Sequence, residues 1–146
     1  MGITLIDEAD HDHSLNESWW SWRPTAELVW SSGIVHAERM QLIRTTGMIF
    51  PGAKPDPHRY DVPDEITAEE AQALGNWLKT TILPRLSPGE LVFRDLTTSS
   101  GQTLTDKLEA VDGEIGPEEK EMYNTDRERL EAFAEFCSAS QGFLVL

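Results

Sequence analysis

Apolar and polar residues alternate through Ile3, Thr4 and Leu5 and give way to Asp7 and Glu8, which predicts a short strand near the start of the chain. The polar, acidic stretch 9–17 then predicts an exposed loop. Pro24 lacks the N–H that the first helical position leaves unpaired, so a helix is expected from there to about Ser32, with Leu28 and Val29 inward. Gly33 supplies a left-handed residue to stop it. Residues 35–44 predict a second short helix, with Met40 and Ile43 on one face. The local signal is sharpest at Thr67, whose hydroxyl stands three residues before Glu70 in the spacing of a capping box. Behind it Ala71, Leu74, Leu78 and Ile82 recur every three or four residues, so a helix should run to about Leu83, before Pro84.

The second half reads in the same way. Residues 91–96 predict an internal strand, and 97–101 a turn. Leu130, Phe133, Ala134 and Cys137 fall at i, i+3, i+4 and i+7 and define a last helix from about Thr125 to Ser138, with Gly142 as its cap. Phe143, Leu144, Val145 and Leu146 are all apolar and predict a buried strand, beside either residues 91–96 or the first strand. Gly47, Pro51, Gly52, Pro55, Pro57 and Pro63 make 45–64 a Pro/Gly-rich loop, and 106–124 reads as an acidic loop. The expected fold is α+β: three or four helices packed on a small, mainly antiparallel sheet that includes both chain ends, with 1–146 as a single domain.

Charge narrows the classes of function. The chain carries 26 acids against 12 bases, a formal net charge of −14, and the excess lies towards its two ends. Five acids and no base occupy 7–17, and eleven acids stand against four bases in 106–135. Phosphate backbones require Lys and Arg for neutralisation, so direct nucleic-acid binding is not expected, and a more basic protein is the natural partner. No leader or membrane span is expected, and the single cysteine, Cys137, fits the cytoplasm.

Chemistry-bearing motifs are sparse. Phosphate-loop, dinucleotide-binding and paired-histidine zinc-protease patterns are absent, so no cofactor and no catalytic residue is assigned. In an extended segment Asp10-His11-Asp12-His13 would turn His11 and His13 to one side, where two imidazoles can share a metal ion. His36 with Glu38, and His58 with Asp56 and Asp61, have the residue types of a base with an orienting carboxylate. Cys137 falls on an apolar helix face, where a thiol is packing. Trp19, Trp20 and Trp22 bring a large apolar area beside Arg23; at least two should be core, leaving one for a partner. The partner-binding residues inferred are Trp19 and Trp20 with the acids Asp112, Glu114, Glu118 and Glu119.

Residues 1–5 (Met-Gly-Ile-Thr-Leu), 20–24 (Trp-Ser-Trp-Arg-Pro), and 133–137 (Phe-Ala-Glu-Phe-Cys) with Gly142-Phe143 together resemble a group of small, uncharacterised bacterial proteins. In general style these are similar to the immunity proteins of bacterial toxin systems. The resemblance carries no catalytic residue and implies a non-enzymatic interaction protein. Two readings follow: a cytoplasmic protein that binds or neutralises a more basic protein, as an immunity-type inhibitor does, and a small metal-dependent hydrolase using the His11/His13 segment with Asp12 or Glu17 as base.

Overall fold

The computed structural model describes residues 2–35, 65–104 and 117–146, together with the backbone pairing of 41–42 and 60–61. The fold is α+β. Strands β1 (Gly2–Asp7) and β2 (Ser14–Ser18) form a hairpin that leads into helix α1 (Trp19–Ser32). The short strands β3 (Gln41–Leu42) and β4 (Tyr60–Asp61) pair antiparallel, and β5 (Glu65–Ile66) leads into helix α2 (Ala68–Trp77). That helix widens into a π turn at Leu78–Ile82 and then tightens into a 3-10 turn at Leu83–Arg85. Next come β6 (Leu91–Phe93), helix α3 (Pro117–Met122), β7 (Asn124–Asp126), helix α4 (Arg127–Ala139) and β8 (Phe143–Val145).

The main sheet has the order β2-β1-β8-β5, with every neighbouring pair antiparallel. It therefore contains both the N-terminal and the C-terminal strand, and β8 is an inner strand between β1 and β5. Thr4 and Leu146 extend the ladder by exchanging backbone bonds of 3.1 and 2.9 Å. Strand β6 pairs with β7 instead, in a separate two-stranded sheet.

Helices α1, α2 and α4 close over the inner face of the main sheet. Trp22 of α1, Phe133 of α4 and Phe143 of β8 form an edge-to-face series, with centroids 5.8 and 6.3 Å apart. Val29, Ile66 and Leu74 pack around these rings and leave no space for a water molecule. The predicted stripe Ala71, Leu74, Leu78 and Ile82 is buried, as are Leu130, Phe133, Ala134 and Cys137. Helices α2 and α4 approach closely at Gly75. A Cβ there would collide with the Ser138 side chain and lie 3.0 Å from the Ala134 carbonyl oxygen.

The capping box is formed: the Glu70 N–H donates to Thr67 Oγ1 at 3.2 Å, and the Thr67 N–H to Glu70 Oε1 at 3.0 Å. Gly33, at φ 72°, caps α1 as expected.

Other boundaries differ from the expectation for identifiable reasons. Residues 14–18 are a strand, because Asp10 closes a tight turn: its carboxylate accepts the Asp12 N–H and its carbonyl the His13 N–H at 2.9 Å. Helix α1 starts five residues before Pro24, since Ser18 Oγ accepts the Ser21 N–H at 3.1 Å; Pro24 lies inside the helix. Of the helix expected over 35–44, Val35 lies in a bend after α1 and Gln41 and Leu42 are in a strand; its other residues lie outside the described residues, as does most of the 45–64 loop. Residues 94–96 turn away after β6, with Leu96 at φ 63° and the Asp95 carboxylate accepting the Thr97 N–H.

Within the expected acidic loop, residues 117–122 form α3, where Pro117 opens the helix and Glu118 and Glu119 complement its positive end. Helix α4 ends at Ser140, whose N–H reaches the Phe136 carbonyl at 3.0 Å, rather than at Gly142. Gly142, at φ 91°, is needed in the turn into β8: a Cβ would stand 2.8 Å from the Ile66 carbonyl oxygen and 3.0 Å from the Ala68 nitrogen.

Candidate functional site

The first turn of α1 and the end of α3 meet at the surface. Ser18 starts α1 one residue before the tryptophans, and the helical repeat then sends the three rings in different directions. Trp22 is fully buried, Trp19 is half-buried with the Arg23 guanidinium 5.5 Å above its ring, and Trp20 stays 46 % exposed. One tryptophan rather than two is thus entirely core. Trp20 contacts Tyr123, with ring centroids 5.1 Å apart and planes tilted by 59°. Met122, the last residue of α3, is 54 % exposed beside Tyr123.

On α3, Glu118 and Met122 are four apart and Glu118 and Glu121 three apart, so all three share one outward side. Both glutamates are exposed, and among the described residues neither meets a cation. Glu119 is held differently. It pairs with the nearly buried Arg94 at 2.6 Å and ties α3 to the turn after β6. Two inferred partner-binding residues, Trp20 and Glu118, therefore share this surface; Trp19 is partly covered by Arg23, and Glu119 serves an internal pair. Asp112 and Glu114 lie outside the described residues. Tyr123 and Met122 were not singled out from sequence. Reading Pro117 as a helix start would have placed Glu118 and Met122 on one side.

The histidine segment lies in and after the turn of the β1–β2 hairpin. His13 Nδ1 lies 2.8 Å from Asp7 Oδ2, and its ring rests on Phe136 at 4.7 Å. Asp7 Oδ1 accepts the N–H groups of Ala9 and Gln141 at 3.0 and 3.2 Å, so one carboxylate joins the hairpin to the segment entering β8. Burial would raise the Asp7 carboxyl, but the His13 bond and the two backbone bonds outweigh it and hold it below the usual range. His11 is exposed in the turn. Among the described residues no group of three or more His, Cys, Asp or Glu side chains gathers to hold a metal ion. His36 and His58 lie outside the described residues.

Several acids are buried, which their spacing in the sequence did not announce. Glu27 and Arg23, four apart on α1, form an ion pair at 3.8 Å inside the protein. Glu17 accepts from Ser21 Oγ at 2.7 Å; burial raises its carboxyl, partly opposed by that bond and by Arg129. Glu90 binds Ser100 Oγ, the Ser87 N–H and Gln102 Nε2, and these bonds, Ser100 first, hold it down to about 2. It fastens the loop after the 3-10 turn. Cys137 is buried on α4, and burial pushes its thiol far up, away from the reactive thiolate.

No family model, curated protein or solved structure matches this chain. Among the described residues no helix is long and apolar enough to cross a membrane.

Proposed function

We propose that this is a non-enzymatic, cytoplasmic interaction protein that binds and neutralises a more basic protein, in the manner of an immunity-type inhibitor. The observation that carries this reading is an imbalance between internal and external charge. Among the described residues six of the seven Lys and Arg side chains, Arg23, Lys79, Arg85, Arg94, Lys120 and Arg129, engage a carboxylate, a carbonyl or an aromatic ring of the protein itself, and Arg127 is half-buried with its Nε in no hydrogen bond. Glu8, Asp10, Asp12, Glu118, Glu121 and Glu131, by contrast, are exposed without a cationic partner there. Carboxylates left in this condition retain their field towards solvent and attract a positively charged surface.

The test is capture from native lysate with the immobilised protein across a salt series. A basic protein should be retained at low ionic strength and released as salt shortens the reach of the charges. An absence of retained protein at the lowest salt refutes the reading.

A further inference from the structure

Trp20 and Tyr123 form an aromatic pair next to Met122, and the helix that ends beside Tyr123 carries two exposed carboxylates, Glu118 and Glu121, that meet no cation among the described residues. Four of the protein's own cations near this region are committed elsewhere: Arg23 lies over Trp19, Lys120 lies 5.3 Å from the Phe93 ring centre, Arg94 holds Glu119 and Arg129 holds Asp126; Arg127, at the start of α4, is half-buried with its Nε in no hydrogen bond. What remains exposed is nearly half of Trp20 and two carboxylates, a combination that suits a planar cation. A guanidinium stacks flat on an aromatic ring while its edge N–H groups reach a carboxylate; an ammonium offers a point charge without that flat contact. Helix α1 already holds such a contact one residue away, between Arg23 and Trp19.

We infer that the Trp20–Tyr123 pair, with Glu118 and Glu121, is the docking surface for an exposed arginine side chain on the basic partner. This rests on the proposed function and makes it specific: the partner contributes an arginine, and Trp20 is the anchor. Exposed apolar area with a charged border is how interfaces concentrate their affinity in a few residues.

The probe is a short synthetic peptide containing three arginines, compared with counterparts carrying lysine or the neutral isostere citrulline. Binding is followed on the indole N–H resonances of the 15N-labelled full chain, with Trp20→Phe assigning the Trp20 signal. The arginine peptide should shift the Trp20 indole signal at low salt, bind more tightly than the lysine peptide, and lose its effect when citrulline replaces arginine. Trp20→Ala should weaken binding about tenfold. The pair Glu118→Gln and Glu121→Gln, which removes no core contact, should weaken it and flatten its salt dependence.

Equal affinity of wild type and Trp20→Ala, or shifts that bypass the Trp20 signal, would overturn the docking surface and leave the basic-partner reading intact. A lysine peptide that binds as well as the arginine peptide would overturn the guanidinium assignment. If neither peptide binds and the lysate capture is empty, both readings fall; if the capture succeeds, only the docking surface falls.

Discussion

Gly142→Ala tests whether the turn into β8 is governed by backbone conformation or by close approach. Two costs act together. At φ 91° a residue with a Cβ meets the left-handed penalty of about 1–2 kcal/mol, reduced by about 0.4–1 kcal/mol because alanine restricts the unfolded chain. In addition the new Cβ would stand 2.8 Å from the Ile66 carbonyl oxygen and 3.3 Å from the Thr67 carbonyl carbon, which are backbone atoms and cannot rotate away. Forcing atoms into an occupied site costs about 1–3 kcal/mol, so Gly142→Ala should destabilise the fold by about 2–4 kcal/mol in total.

Gly89 and Gly101 separate the two costs. They have φ of 75° and 89°, but a Cβ on either would meet nothing within 4 Å. Their alanine variants should therefore lose only about 1 kcal/mol, from conformation alone. Urea unfolding followed by tryptophan fluorescence gives the midpoint and slope for each variant. A Gly142→Ala midpoint no lower than those of Gly89→Ala and Gly101→Ala would refute the close-approach argument.

Three further outcomes are expected. Asp7→Asn should be less stable than wild type at pH 7. The folded-state carboxyl is depressed, so its contribution is present above the unfolded value of about 3.9 and fades as pH falls through the folded one; the difference in urea midpoint should shrink in that acid range. Glu17 is raised instead, so its charged form opposes folding above the usual carboxylate range. Glu17→Gln keeps an acceptor for Ser21 and should match or exceed wild-type stability at pH 7, with the advantage vanishing below about pH 4; a loss at pH 7 contradicts the burial argument. Cys137 should react with a thiol reagent only as fast as the protein opens, and full labelling within the mixing time under native conditions would contradict its burial.

Much of the fold was legible because it follows from local rules. The capping box at Thr67, the stripe from Ala71 to Ile82 and the spacing of Leu130 to Cys137 each determine a helix and its buried side without reference to distant residues. What escaped depends on non-local partners. Strand β2 is polar in sequence, yet it folds against β1 once Asp10 makes the turn. Whether β8 lies beside β1 or β6 is set by which strand reaches it, and hydrophobicity is the same in either case.

The candidate surface was half legible. Clustered tryptophans and acids pointed to the region of the proposed surface, but which ring faces outward depends on a helix start at Ser18 that Pro24 obscured. Tyr123 belongs to the surface only because β7 carries it beside α1.

The order β2-β1-β8-β5 also constrains how the molecule is made. The hairpin and Ile66 are made before the strand that joins them, which follows α4 in the chain, and Leu5 cannot meet Val145 until everything between has been made. Pairings so distant along a chain slow folding, because a large loop must close before any contact rewards it. The sheet therefore stays unfinished until every residue between the hairpin and β8 has been made.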